Sequence, residues 1–144
     1  LSQAPLPRKR QILLTLTIRL SPLELGADQR GMRPYVLVIL KTGPHDADFS
    51  AAARTDIFAK HMQNIGRLAD AKELAVAGPF RKNDQQYRGI FILAVETIAE
   101  AQTLVQTDPA VKAGLFSADL ILWYGSASLM ATPEIHKTIA QEKP

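Results

Sequence analysis

His61 stands inside an apolar helical stripe. Ile57, Phe58, Met62, Ile65, Leu68 and Ala69 recur around it at three- and four-residue spacing, so its ring points to the side that must face a core. An imidazole placed there has two readings. One is a core histidine satisfied by backbone groups. The other is a general acid or base beside a cleft, because imidazole exchanges protons near neutral pH. Asp108, before Pro109, has a structural reading of its own. Asp before Pro is a favoured helix N-cap with proline at the first helical position, and Gly114 permits the reversal that closes such a short turn. One carboxylate oxygen suffices for the cap, which leaves the other for a second donor.

Gly78-Pro79-Phe80 reads first as a strand-end turn, with Phe80 either in the core or in a pocket wall. His45, Asp46 and Asp48 lie close together after an apolar run, but no second histidine stands four residues from another, and a solvated loop with a turn-forming Asp is the better reading. His136 carries no argument. The chain has no cysteine, which excludes thiol catalysis, disulfides and cysteine zinc sites. It has no nucleophile elbow, P-loop or dinucleotide fingerprint either, so serine, nucleotide and flavin chemistry lack support. No metal and no cofactor is expected.

The 144 residues suit one domain able to bury a core, and the net charge is +3. That excess lies at one end: residues 1 to 34 hold six Lys and Arg against two acids, and the remainder eleven against twelve. Nucleic-acid binding needs a basic patch on the folded surface, so it is not expected. No run reaches the roughly 18 apolar residues of a membrane span. Arg8-Lys9-Arg10 before Ile12 to Ile18 has some signal-peptide character, but Arg19 interrupts it. Localisation stays open, with the cytoplasm favoured.

These residues need elements to position them. Gln11 to Leu20 alternates with period two and reads as an additional strand. Ser21 to Pro34 reads as a loop. Tyr35 to Lys41 and Gly89 to Val95 are strands apolar on both faces, Leu74 to Gly78 is a buried strand, and Asp119 to Tyr124 is the last strand. A long helix starts at an N-cap Ser50 and runs to about Ala69. Thr97 and Glu100 form a capping box for a second helix that stops before Pro109. One further helical piece is expected around Glu134 to Gln141. The order β-α-β-β-α-β defines an α+β, ferredoxin-like fold with an antiparallel sheet, and the two strands apolar on both faces occupy its centre. Two helices cover one sheet face, which leaves the other for an interface. Trp123 and Tyr124 are assigned to that seam.

The helix His61, the Gly78-Pro79-Phe80 after the second strand, and the run Asp108-Pro109-Ala110-Val111-Lys112-Ala113-Gly114-Leu115 follow one another as in the YCII-related (YciI-like) family, which the chain resembles from about Pro34 to Gly125. The resemblance implies a dimeric α/β barrel in which two sheets pack face to face, with a small-molecule ligand. It implies His61 and Asp108 as an active-site pair, in which Asp108 would fix the imidazole tautomer and stabilise the imidazolium. Gly78, Pro79 and Phe80 would then bind substrate. The expected organisation is an N-terminal extension at 1–33, a YCII-like domain at 34–126 and a tail at 127–144. The expected function is general acid/base chemistry of lyase, elimination or isomerisation type on a small organic molecule. A non-catalytic binding or regulatory module on the same dimeric barrel is the alternative, and a haem-binding variant a weaker third.

Overall fold

The computed structural model describes residues 21–142, so the strand expected at Gln11 to Leu20 lies outside the described residues. In chain order the elements are α1 (Pro22–Leu25), β1 (Met32–Thr42), a 3-10 turn (Asp46–Asp48), α2 (Ala51–Asp70), β2 (Leu74–Pro79), β3 (Tyr87–Leu93), α3 (Ile98–Val105), α4 (Pro109–Lys112), β4 (Phe116–Ser126), a 3-10 segment (Ala127–Ala131) and α5 (Thr132–Ile139). The four strands form one antiparallel sheet in the order β2-β3-β1-β4. This is the ferredoxin-like arrangement, with the two doubly apolar strands at its centre.

The helix ends follow from local chemistry. Ser50 Oγ accepts the Ala53 amide at 3.2 Å, and Thr97 Oγ1 accepts the Glu100 amide at 3.1 Å while donating to Glu100 Oε1 at 3.0 Å. Each such cap is worth about 1 kcal/mol. After α4 the chain turns back through Gly114, whose φ of +74° suits glycine, and a Cβ there would stand 2.4 Å from the His45 ring. Gly43 meets the same turn so closely that its Cβ would fall 2.2 Å from the Gly114 carbonyl oxygen. The loop after β1 and the turn before β4 are thereby locked together.

Register assigns the two sheet faces. Val36, Val38 and Leu40 of β1 stand beside Leu93, Phe91 and Gly89 of β3 and beside Leu122, Leu120 and Ala118 of β4. This side receives α2 and α3, and Leu68, Ala101, Val105, Ala110 and Leu115 pack on it, while Leu122 at the β4 edge stays exposed. A buried leucine such as Leu68 contributes on the order of 2 kcal/mol. The opposite face carries Tyr35, Leu37, Ile92 and, on β4, Ile121 and Trp123.

The second face is not left wholly uncovered within the chain. Beyond β4 the 3-10 segment turns under the sheet, and Leu129 and Met130 pack on the cluster of Tyr35, Ala75 and Ile92. α5 follows at the β2 edge, where Lys137 pairs with Asp70 of α2 at 3.3 Å. The expectation of a bare face therefore holds only toward β4, where Ile121 and Trp123 stay exposed. The strand pattern did not reveal this because Leu129 and Met130 lie in a short segment without periodicity. Other boundaries differ in detail: β4 begins three residues before the expected Asp119 and runs two beyond Tyr124, and the loop expected at Ser21 to Pro34 contains α1 and the first residues of β1. Among the described residues no helix is long and apolar enough to cross a membrane.

Candidate active site

His61 lies near the middle of α2 on the face that meets the sheet, with Asn64 and Leu68 buried on the same stripe. Its ring is boxed by phenylalanines: Phe91 stacks at 6.0 Å, and Phe116 and Phe58 meet it edge-on at 5.5 and 6.1 Å. In that setting a ring nitrogen needs a specific partner, because an unpaired buried polar atom costs about 1–3 kcal/mol. Nδ1 has one, Asp108 Oδ2 at 2.6 Å, and the side chains are only 8% and 1% exposed. Asp108 is also the N-cap of α4, its Oδ1 accepting the Ala110 amide at 2.8 Å. The structural role and the imidazole contact thus coexist on different oxygens.

A carboxylate only accepts, so this contact fits the imidazole tautomer with its proton on Nδ1, which would leave the lone pair on Nε2. Among the described residues Nε2 has no hydrogen-bond partner, yet the only sealed and unpartnered side-chain polar atom among them is Nε of Arg33. Nε2 therefore keeps accessible surface, and His61 borders a cavity of about 250 Å3. Its walls are His61, Phe58, Ile65, Phe91 and Phe116, with the strand ends at Gly78, Pro79 and Gly89. Gly78 and Pro79 are thus brought to His61. Phe80 is not; it turns outward, 43% exposed, and lies 5.9 Å from Tyr87.

Two sets of residues at this site were not singled out in the sequence. The first is a tie one helical turn beyond His61, where Asn64 Nδ2 donates to Thr107 Oγ1 at 3.2 Å and Thr107 Oγ1 donates to Leu104 O at 2.6 Å. It holds the residue before Asp108 against the helix that bears His61. A polar residue at position 64, three after His61 on a buried stripe, was the available signal. The second is Arg88, which also lines the cavity, with its guanidinium 5.6 Å from the Phe116 ring centroid. The register shift between Leu40↔Gly89 and Lys41↔Tyr87 leaves Arg88 as an extra residue in β3. Such a bulge re-aims its side chain, and here it joins Gly89 on the helix-covered face.

A larger cavity of about 470 Å3 lies between α2, β2 and α5. Size alone favours it, but its titratable groups, Asp70, His136 and Lys137 among them, are exposed, and no buried acid–base pair borders it. The smaller cavity is bordered by His61, whose Nδ1 meets the buried Asp108 behind it, and is the better candidate for chemistry. Elsewhere His45 Nδ1 meets Asp48 Oδ2 at 3.2 Å, and Asp46 takes Arg54 Nη1 at 2.8 Å. Among the described residues no three His, Cys, Asp or Glu side chains gather as a metal site requires.

Fold and site together define a ferredoxin-like α+β domain with a buried His–Asp pair at the end of its sheet. The profile of the YCII-related domain matches residues 35–123, and the chain belongs to that family. A solved structure, the 5-chloro-2-hydroxyhydroquinone dehydrochlorinase of Burkholderia phenoliruptrix in complex with 2,5-dihydroxybenzoquinone, is similar at 26% identity and a TM-score of 0.42, over 62% of this chain and 90% of that one. No curated protein matches the chain.

Proposed function

We propose that the protein is an enzyme that uses His61 as general acid/base and Asp108 as its orienting partner on a small organic molecule held in the 250 Å3 cavity. The observation that carries this reading is the 2.6 Å contact of His61 Nδ1 with a buried Asp108, beside a cavity that the ring itself borders. Neutral His61 accepts a substrate proton at Nε2, the Asp108 carboxylate stabilises the imidazolium, and the same proton returns to a leaving group or a neighbouring atom. Elimination and isomerisation both need only that shuttle. Gly78 and Pro79 form the wall against which the substrate lies, and Phe80 stands outside it. The space is below the roughly 300–1,000 Å3 of drug-sized pockets, so the occupant is about one ring in size.

The same reading includes a homodimer through the part of the second sheet face left open by the chain's own C-terminal segment. Exposed Ile121 and Trp123 on β4 support it.

His61→Gln provides the test. In a panel of single-ring hydroxylated acids and ketones, wild type is expected to convert a compound that the variant binds but does not turn over. Equal turnover by the variant would refute the acid/base role, and binding without conversion by either would favour a non-catalytic binding module.

A further inference from the structure

We propose that Arg88 is the substrate-anchoring residue of this cavity and that the substrate class is a small planar organic anion, a single ring bearing one negatively charged oxygen group. The inference deepens the acid/base reading and rests on it for the identity of the pocket. Three observations carry it. The bulge in β3 places Arg88 on the face that holds His61, within a cavity otherwise walled mainly by apolar side chains and glycines. Phe116 has the Arg88 guanidinium over its face at 5.6 Å and the His61 imidazole edge-on at 5.5 Å, so the cation and the imidazole contact the same ring. Finally, the cation lacks a carboxylate partner among the described residues. The nearby acid, Asp46, is already bound by Arg54 at 2.8 Å.

An arginine fork recognises a carboxylate or an acidic hydroxyl through two parallel hydrogen bonds, and its affinity rises where water is excluded. With Arg88 holding the anionic group, the rest of the ring lies among Phe91, Phe116 and Ile65, toward Nε2 of His61. The charge at Arg88 also favours proton abstraction, because negative charge that develops on a conjugated ring is drawn toward the guanidinium.

Benzoate and its neutral isostere benzamide test the assignment by NMR titration of the full chain, read at the amides of Gly78 and Gly89 and at the His61 ring. Wild type is expected to bind benzoate at least about tenfold more tightly than benzamide. Arg88→Met should abolish that preference with its other amide resonances in place, and Arg88→Lys should retain part of it. Asp108→Asn should keep the preference, which separates anion anchoring from the proton chemistry. Equal affinity for the two probes in wild type, a preference that survives Arg88→Met, or benzoate shifts confined to residues outside the cavity would each overturn the proposal.

Discussion

Asp108 holds His61 and helix α4 at the same time, Oδ2 lying 2.6 Å from the imidazole Nδ1 and Oδ1 2.8 Å from the Ala110 amide. Neither oxygen can be replaced by an N–H group without disturbing one of the two contacts. The setting of the His61 ring and the start of a helix 47 residues further on therefore depend on one carboxylate.

Asp108→Asn separates the two roles. Asparagine caps helices about as well as aspartate, so stability should fall by no more than about 1 kcal/mol. With the amide oxygen on Ala110, its NH2 faces Nδ1 and forces the proton onto Nε2. Imidazole 15N shifts should report that reversal of tautomer, and turnover should fall on the order of 10³-fold or more, as where a triad histidine is held in the wrong tautomer. An unchanged tautomer would make Asp108 a cap and nothing else.

His61→Ala should cost more than Asp108→Asn, although it removes no cap. It leaves a carboxylate that is 1% exposed with its Oδ2 unpaired, a defect worth about 3–5 kcal/mol. Urea unfolding of the two variants gives the order directly, and a smaller loss for His61→Ala would mean that water reaches Asp108.

Acid pH should weaken the loop that carries Asp46. The hydrogen bond from Arg54, with the charges of Arg54 and Arg88 adding, holds the Asp46 carboxyl below its ordinary 3.8. A depressed carboxyl stabilises the fold above its unfolded pKa, and this contribution is lost as pH falls through the folded value. Arg54→Gln should therefore be less stable than wild type by at most about 1 kcal/mol near neutrality, with the gap closing below pH 3.8. A gap independent of pH would assign the effect to packing.

Assembly has a simple readout. Sedimentation at micromolar concentration should give a dimer, with an interface above about 1,000 Å2. Ile121→Lys combined with Trp123→Lys should shift it to monomer, and a monomeric wild type would remove the proposal.

Strand order and the positions of His61 and Asp108 were readable in the sequence because each rests on a strong local signal. Two strands apolar on both faces had to be central, a histidine on an apolar stripe had to point inward, and Asp before Pro had to cap. Arg88 was hidden for the opposite reason. Strict alternation with Gly89 would place it on the other face, and only the bulge in β3 reverses that, a property of pairing between strands that no single strand encodes. Leu129 and Met130 were missed because packing of a short 3-10 segment is decided by the sheet beneath it, not by its own periodicity. The Asn64 to Thr107 tie joins residues 43 apart, so the polar residue on the buried stripe marks one end and nothing local names its partner.

Met62, Ile65 and Ala77 belong to the walls of both cavities, the one beside His61 and the one beneath α5. The two spaces consequently have a common partition three side chains wide, and neither can be resized alone through those positions. The volume beside His61 and the seating of α5 are thus tied to the same three residues.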